Sequence, residues 1–283
     1  MRCLILSRLI KQRMTSSPNF FLVKQYDTFR CVVFFIIFVT MKHYGLIGYP
    51  LGHSASATYF GKKFASQGIE AEYTLYPIEC IEEVENLGDA LSGFNVTIPY
   101  KKAIIPYLTT ITPQAAAVGA VNCVKIDSNG AMHGHNTDVI GIKATLAQYE
   151  LNGKRALVLG TGGASAAVVY VLKELGMDVT VVSRSAAEGV ITYGEVSIEV
   201  IDTITLIVNA TPVGMYPHTE EAPQLPYQAL GKNHILFDLI YNPAVTKFLK
   251  FGAEQGATTI GGEEMFCCQA EASWDIWSAK DEF

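Results

Sequence analysis

Short apolar runs alternate with amphipathic stretches along the chain from Tyr44 onward. In the first part of this pattern, period-two runs bounded by Gly, Pro and polar residues predict strands, and runs with helical spacing predict helices. The predicted strands are 44–48, 73–77 and 93–98, and the predicted helices are 56–67, 79–87 and 113–118. Residues 120–126 and 131–135 flank the tetrad Asp127-Ser-Asn-Gly130, which predicts a hairpin turn. This part of the chain therefore combines signals for parallel and antiparallel strands.

The later part of the chain alternates strands and helices more regularly. Asp138 begins a helix predicted to end near Tyr149, and Asn152-Gly153 separates it from the next strand. The following strands are predicted at 155–159, 178–183, 206–209, 235–238 and 258–260, with one helix ending near 175 and others at 246–254 and 263–280. This alternation is typical of a doubly wound parallel sheet. Between Arg184 and Leu206 the residues favour strand over helix, so one crossover helix is expected to be short or missing.

The composition fits a folded protein of two domains. The chain has 283 residues, of which 49% are hydrophobic and 17% charged, with a net charge of −6. The first forty residues are basic and the remainder is acidic, and no long basic run is present that would follow a nucleic acid backbone. The six cysteines form no C-x-x-C pair or His-spaced cluster, which argues against a metal site and favours a reduced, cytoplasmic protein.

The first forty residues differ from the rest of the chain. Their strongly apolar segment, residues 31–39, is about half the roughly 20 residues that a membrane-spanning helix needs. The residues after it, Thr40 to His43, do not resemble a signal-peptide cleavage site. We therefore expect no membrane association. We expect Met41 to be the natural start, with residues 1–40 an extension that is either upstream sequence or a disordered tail.

A glycine turn joins the strand at 155–159 to the helix that follows it, with the sequence Gly160-Thr-Gly162-Gly163-Ala164-Ser165. Glycines let the backbone turn sharply and approach a ligand, and the N–H groups at the start of the helix face a negative charge. Gly160, Gly162, Gly163 and Ala164 are therefore candidate ligands of a pyrophosphate. A glycine turn between strand and helix also occurs without any ligand, so both interpretations stay open at this point.

The residues after the second strand of such a fold select the cofactor. A carboxylate at this place binds the ribose 2′-hydroxyl of NAD, whereas an arginine accommodates the 2′-phosphate of NADP. The sequence here is Ser183-Arg184-Ser185, with no acidic residue. A guanidinium with hydroxyl neighbours suits a phosphate, so NADP is the predicted cofactor. The alternative is a solvated surface arginine.

Polar side chains interrupt the apolar pattern of the first domain at the ends of predicted elements: Ser54, Ser56, Asn95, Thr97, Lys101, Asn122 and Asp138. The two serines lie at a helix N-terminus, where hydroxyl groups cap the helix or bind a carboxylate. The asparagine and threonine at 95 and 97 share one face of their strand. The lysine and aspartate are, from the residues alone, a candidate salt bridge.

Together these segments resemble the shikimate dehydrogenase family over nearly all of residues 41–283. The matching segments are Gly48-x-Pro50-x-x-His53-Ser54-x-Ser56, Asn95-Val-Thr-Ile-Pro-Tyr-Lys101, Gly119-Ala-Val-Asn122, Asn136-Thr137-Asp138, Gly160-x-Gly-Gly-Ala-Ser165, Asn209-Ala-Thr211-Pro-x-Gly214-Met215, Asp238-x-x-Tyr241-x-Pro243 and Met265-x-x-x-Gln269. Each segment alone is weak evidence, but eight in the same order are specific. The resemblance implies an oxidoreductase that reduces 3-dehydroshikimate to shikimate with NADPH, on the way to chorismate and the aromatic amino acids.

The resemblance also implies roles for individual residues. Lys101 and Asp138 would be the catalytic pair, with the ammonium donating a proton to the developing alkoxide and the carboxylate orienting it. The substrate carboxylate would be held by Ser54, Ser56 and Tyr241, and the ring hydroxyls by Asn95, Thr97, Asn122 and Gln269. Along the cofactor would lie Asn209, Ala210, Thr211, Met215 and Gly262, in addition to the glycine turn and Ser183, Arg184 and Ser185. Met215 also has a plain packing interpretation, because methionine readily fills gaps.

The expected fold is α/β, with an N-terminal mixed α/β substrate domain and a Rossmann-type, doubly wound NADP-binding domain. The expected boundaries are 1–40 for the extension, 41–138 plus 263–283 for the substrate-binding catalytic domain, and 139–262 for the NADP-binding domain. We expect a monomer or homodimer whose partners are NADP and shikimate or 3-dehydroshikimate. Two alternatives remain, namely a quinate/shikimate dehydrogenase that uses NAD or NADP and a catalytically silent NADP-binding sensor.

Overall fold

A computed structural model describes residues 21–28, 31–38, 41–51, 54–87 and 90–280 of the chain. Its strands form one two-stranded sheet and two six-stranded sheets. Within the described residues, none of the helices combines the length and the apolar character needed to cross a lipid bilayer.

The two-stranded sheet lies within the N-terminal extension. β1 (Phe21–Thr28) pairs antiparallel with β2 (Cys31–Phe38), and neither strand belongs to the larger sheets. The run of β-branched and aromatic residues in β2 has a strong preference for extended structure, which explains the pairing. These two segments thus differ from a disordered tail, one of our two interpretations of the extension, while the rest of residues 1–40 lies outside the described part. That Met41 is the natural start stays a prediction.

The first six-stranded sheet is mixed, as the sequence signals indicated. β3 pairs in parallel with β4 and β5, β7 pairs antiparallel with β5 and β8, and β6 pairs in parallel with β8. The predicted hairpin over residues 127–130 is present between β7 and β8. The strands are β3 (Lys42–Gly48), β4 (Ala71–Pro77), β5 (Gly93–Val96), β6 (Thr110–Ile111), β7 (Cys123–Ile126) and β8 (Met132–His135).

Three α-helices accompany this sheet, namely α1 (Ala55–Gln67), α2 (Pro113–Val118) and α3 (Asp138–Leu146). α1 and α2 both end at a glycine with positive φ, Gly68 and Gly119, a conformation that favours glycine at the end of a helix. The predicted helix at 79–87 is a 3-10 helix over Ile81–Asn86, and a second 3-10 turn covers Ile105–Tyr107. The first sheet is thus connected by short helical elements.

The second six-stranded sheet is entirely parallel. Its order is β11-β10-β9-β12-β13-β14, which is the 3-2-1-4-5-6 order of dinucleotide-binding folds when its strands are numbered along the chain. The strands are β9 (Arg155–Leu159), β10 (Asp178–Ser183), β11 (Val190–Thr192), β12 (Leu206–Asn209), β13 (Ile235–Asp238) and β14 (Thr258–Ile260). Its helices are α4 (Gly163–Glu174), α5 (Ile198–Ile201) and α6 (Lys247–Glu254).

The crossover between β11 and β12 is reduced, as expected from the sequence between Arg184 and Leu206. Its only α-helical part is the single turn α5, preceded by the 3-10 turn Tyr193–Glu195. Isoleucine, valine and threonine are frequent in this segment, and their branched side chains lower helix propensity. The edge of the sheet beside β11 therefore carries little helical cover.

The two faces of the parallel sheet are covered by separate hydrophobic clusters. Along β9, Ala156 and Val158 belong to one cluster and Leu157 and Leu159 to the other, as strand alternation requires. Both faces of a parallel sheet are normally buried in this way. The first cluster also includes residues of α3 and α4 and Met265, so it extends beyond the second sheet.

The last helix, α7 (Glu263–Ser278), returns to the first sheet. Trp277 near its end stacks on Tyr44 with ring centroids 4.8 Å apart, and its Nε1 donates a hydrogen bond to the Val124 carbonyl at 2.9 Å. Closer to its start, α7 packs against α3. A Cβ atom on Gly141 would lie 2.5 Å from the Met265 carbonyl oxygen, so only glycine fits at this crossing.

We expect Gly141→Ala to destabilise the protein by about 1–3 kcal/mol, because the added methyl group meets backbone rather than a flexible side chain. The matched control is Gly61→Ala in α1, where a Cβ meets nothing within 4 Å. This control should raise stability by roughly 0.5–1 kcal/mol, since alanine favours a helix over glycine. Urea unfolding followed by circular dichroism measures both. Equal stability of the two variants would contradict the close packing of α3 on α7.

Candidate active site

A lysine and an aspartate meet at the edge of the first sheet. Lys101 follows the turn after β5, and Asp138 is the first residue of α3. The Lys101 Nζ lies 2.6 Å from the Asp138 Oδ2, and the two side chains are only 14% and 5% exposed. Asn122 donates from its Nδ2 to the other carboxylate oxygen at 2.9 Å. Both oxygens of Asp138 are therefore engaged, which fixes the carboxylate beside the ammonium group.

A buried network of polar side chains supports this pair. The Thr137 amide donates to the Asn122 Oδ1 at 2.6 Å, and the Asn95 Nδ2 donates to the Asn122 carbonyl at 3.1 Å. Asn95 also donates to the Ser273 hydroxyl at 2.9 Å, and Gln269 Oε1 lies 3.5 Å from the Asn122 Nδ2. The structure thus brings the predicted residues 95, 122 and 269 together.

Two members of this network were missed by the sequence analysis. Ser273 lies one helical turn after Gln269 on α7, so the two side chains share a face of the helix. Tyr73, on β4, donates its hydroxyl to the Asn95 Oδ1 at 2.9 Å. The spacing from Gln269 was the only signal for the serine, and nothing in the sequence pattern indicated the tyrosine.

Ser54, Ser56 and Tyr241 also come together. Ser54 caps α1, with its hydroxyl accepting a hydrogen bond from the Ser56 amide at 3.2 Å, so the capping interpretation is correct. Burial raises the pKa of Tyr241, while the Ala55 backbone and the Ser54 side chain beside its hydroxyl oppose this rise. The tyrosine from the loop after β13 therefore reaches the start of α1. Thr97 is half-buried next to Gly48, and Gly52 and His53 lie outside the described residues.

The glycine turn stands directly against the catalytic candidate Lys101. Gly160 has φ of +108°, a conformation that favours glycine, and Gly162 is the residue before α4. A Cβ atom on Gly163 would lie 2.6 Å from the Lys101 Cβ. The third glycine therefore makes room for the lysine, a reason that the ligand-based interpretation of the turn does not include.

A cavity of about 790 Å³ lies between the glycine turn, the end of β10 and the loop after β12. Its lining includes these predicted residues: Lys101, Gly160, Gly162, Gly163, Ala164, Ser183, Arg184, Ala210 and Thr211. The lining also includes side chains that the sequence analysis did not name, among them Ile98, Tyr193, Val213, Glu221 and Gln224. The predicted residues Ser185, Asn209, Met215 and Gly262 are not part of it.

The surroundings of three of these four residues show where their side chains or Cβ positions lie instead. Asn209 is fully buried, and its Oδ1 accepts hydrogen bonds from the Thr211 amide at 3.1 Å and the Thr211 hydroxyl at 2.6 Å, so it shapes the loop after β12. Gly262 is crowded by the Leu239 carbonyl, which a Cβ atom would strike. Met215 is 41% exposed. Asn209 would therefore act on a cofactor through the loop and not by direct contact.

Asp238 is a buried acid behind the cavity that the sequence analysis quoted but gave no role. At the end of β13, it accepts hydrogen bonds from the Asn209 Nδ2 at 3.1 Å, the Ile240 amide at 3.0 Å and the Thr246 hydroxyl at 2.6 Å. Burial raises the pKa of its carboxyl from 3.8 to about 6 in spite of these donors. Asp238 thus ties the loop after β12 to the loop that carries Tyr241.

The parallel sheet, its glycine turn and Lys101, which pairs with Asp138 and lines the cavity beside that turn, define an α/β oxidoreductase that uses a dinucleotide. Residues 46–124 match the family model of the shikimate dehydrogenase substrate binding domain. The NADP(+)-dependent shikimate dehydrogenase of Methanococcus maripaludis is 38% identical over 264 residues, covering 84% of this chain and 92% of that protein. The chain belongs to the shikimate dehydrogenase family.

Solved structures agree with this assignment. Shikimate dehydrogenase from Aquifex aeolicus superposes with a TM-score of 0.77 at 34% identity, covering 86% of this chain and 94% of that one. The shikimate 5-dehydrogenase of Thermus thermophilus, solved in complex with NADP(H) and shikimate, has a TM-score of 0.74 at 30% identity, covering 84% and 94%. The predicted fold class is therefore confirmed.

We expect Asp238→Asn to change how stability depends on pH. The pKa of the Asp238 carboxyl is raised from 3.8 to about 6 in the folded protein. Between these two pH values, Asp238 is therefore more protonated in the native state than in the unfolded state. The contribution of Asp238 to stability therefore falls as the pH rises through this window. Relative to the wild type, the variant should gain about 3 kcal/mol of unfolding free energy between about pH 4 and pH 7. Urea unfolding at each pH measures the difference, and a constant difference would contradict the raised pKa.

Proposed function

We propose that the protein reduces 3-dehydroshikimate to shikimate with NADPH, in the pathway to chorismate and the aromatic amino acids. The observation that carries the proposal is the partly buried Lys101–Asp138 pair, held 2.6 Å apart directly beside the glycine turn. This arrangement sets a proton donor next to the place where a dinucleotide binds in this fold. The relatives named as NADP-dependent shikimate dehydrogenases support the same activity.

The reaction needs one hydride and one proton. The bound cofactor would supply the hydride, as the reductant of the ketone carbon. Lys101 donates its ammonium proton to the oxygen on which negative charge develops, so the ketone becomes a secondary alcohol. Asp138 holds the ammonium group in place, and Asn122 holds Asp138 through its second oxygen. The reverse reaction uses the same groups in the opposite order.

The substrate is a small carboxylate with several hydroxyl groups, and the polar residues around the pair suit both features. Ser54, Ser56 and Tyr241 supply hydroxyl donors for the carboxylate, at the start of α1 where the helix dipole also favours a negative charge. The ring hydroxyls are assigned to Asn95, Asn122 and Gln269, which belong to the buried network, and to Thr97, which lies beside Gly48. A site that hydrogen-bonds each hydroxyl rejects analogues that lack one.

The cofactor is assigned to the cavity beside the glycine turn. Gly160, Gly162, Gly163 and Ala164 would hold the pyrophosphate, and Ser183, Arg184 and Ser185 the 2′-phosphate, while Asn209, Ala210, Thr211, Met215 and Gly262 would line or shape the remainder. Residues 41–138 plus 263–283 would then be the substrate-binding catalytic domain and 139–262 the NADP-binding domain. A cytoplasmic monomer or homodimer completes the proposal.

We expect Lys101→Ala to lower kcat for shikimate oxidation by about 10²- to 10⁴-fold, because the proton donor is lost. Asp138→Asn should also lower kcat, since the ammonium group loses its charged partner. The matched control is Lys143→Ala, which removes an exposed lysine from α3 that pairs with Glu174. Steady-state formation of NADPH at 340 nm measures all three.

Two results would overturn the assignment of the pair. One is a Lys101→Ala enzyme with wild-type kcat, which would remove the lysine from the reaction. The other is wild-type protein that binds NADPH and turns over neither shikimate nor dehydroshikimate, which would favour the sensor alternative.

We expect Arg184→Ala to raise the KM for NADP+ by about 10- to 100-fold, because a charged hydrogen bond to a phosphate contributes about 1.5–3 kcal/mol. The KM for NAD+ should change little, since NAD+ lacks the 2′-phosphate. Steady-state assays with both cofactors at saturating shikimate provide the comparison. An unchanged preference for NADP+ would contradict the role of Arg184.

A further inference from the structure

Tyr193 is a cavity-lining side chain to which neither the sequence analysis nor the family resemblance gives a role. It lines the 790 Å³ cavity together with Ser183 and Arg184. Its ring is partly buried against the hydrophobic cluster that contains Leu159 and Val182, so one side of the ring is held by the protein. The tyrosine is therefore a fixed part of the cavity wall.

The pairing of the two strands sets Tyr193 next to Arg184. β10 and β11 are parallel, and Ser183 is the register partner of Thr192. The next residue of each strand is Arg184 in one case and Tyr193 in the other, so both leave the sheet at the same carboxyl edge. Ligands of open α/β sheets bind at this edge.

A local hydrogen-bond pair holds the tyrosine in this position. Both the amide and the hydroxyl of Thr192 donate to the Glu195 Oε2 at 2.7 Å, which closes the 3-10 turn Tyr193–Glu195. This turn begins at the residue directly after β11. The backbone of this turn therefore sets the position of the Tyr193 side chain at the carboxyl end of β11.

The Tyr193 hydroxyl is available to a ligand. Among the residues that the structure describes, it has no hydrogen-bond partner, and its ring faces the cavity that Arg184 also lines. Burial raises the pKa of Tyr193, although the Arg184 guanidinium opposes this, so the phenol stays protonated at neutral pH. A protonated phenol donates one hydrogen bond.

We propose that Tyr193 is a specificity-determining residue that donates a hydrogen bond to the 2′-phosphate of the cofactor, beside the guanidinium of Arg184. Within the proposed function, which this inference presupposes, the arginine supplies charge and the tyrosine a second, neutral donor. Two donors at the ends of adjacent strands would recognise the orientation of the phosphate as well as its charge. NAD+ has no group at this place to accept the bond, so the contribution of the hydroxyl is specific to NADP+.

The test is Tyr193→Phe, which removes the hydroxyl and keeps the ring that packs on the core. Isothermal titration calorimetry with NADP+ and NAD+, and with 2′,5′-ADP and 5′-AMP, measures binding without turnover. We expect the Kd for NADP+ and for 2′,5′-ADP to rise about ten-fold, the effect of losing one hydrogen bond to a charged group. The Kd for NAD+ and 5′-AMP should change less than about two-fold, since no phosphate contact is lost.

The matched control is Tyr149→Phe. Tyr149 is partly buried against the cluster on the opposite face of the sheet and does not line the cavity, so its removal should leave all four Kd values unchanged. Combining Tyr193→Phe with Arg184→Ala completes a double-mutant cycle. If both side chains bind one phosphate, the effect of Tyr193→Phe on the affinity for 2′,5′-ADP should differ between the two backgrounds.

Each contrary outcome has a distinct meaning. An unchanged Kd for NADP+, or an equal loss for NADP+ and NAD+, would overturn the role of Tyr193 and leave the proposed function intact. Wild-type protein that binds NADP+ no better than NAD+ would overturn the NADP part of the proposed function, and the inference with it.

Discussion

The ion pair between Lys101 and Asp138 is the interaction on which the arrangement of the site depends. Taking two charges out of water is costly unless they are close together and their remaining hydrogen-bonding capacity is satisfied. The 2.6 Å separation meets the first condition, and the Asn122 side-chain amide meets the second for the other oxygen of Asp138. Asn122 is in turn held by the Thr137 amide, which fixes the start of α3. The network around the pair is therefore a requirement of the buried charge, and it holds the two groups to which we assign the proton transfer.

Much of the fold could be predicted from local signals. Helix α2 has a threonine cap, a proline at its start and a glycine at its end, and its predicted bounds are those of the structure. Strand β5 ends at Val96, two residues before its predicted end and close to Pro99, which has no amide hydrogen to donate to a ladder. The helix predicted at 79–87 is a 3-10 helix over Ile81–Asn86. A 3-10 helix differs from an α-helix in its hydrogen-bond pattern, which the spacing of apolar residues does not reveal.

The site could be predicted less completely, because its details depend on contacts between distant segments. Asn209 was predicted to lie along the cofactor, whereas its side chain turns inward to the loop after β12 and to Asp238. Ser273 enters the network only because α7 returns to the first sheet, a fact of topology. Tyr193 reaches the cavity through the register of two parallel strands, which a single sequence does not reveal. Residue type indicated the candidate groups, and tertiary structure decides which of them lie together.

The hydrophobic cluster on one face of the parallel sheet has a consequence for how the molecule moves and unfolds. It joins Val158 of that sheet to Ile142 of α3 and to Met265 of α7, the helix that returns to the first six-stranded sheet. Separating the two six-stranded sheets and their helices would expose this shared core to water, at a free-energy cost proportional to the apolar area uncovered. The two sheets with their helices are thus expected to unfold cooperatively, because unfolding of either one removes hydrophobic contacts from the other.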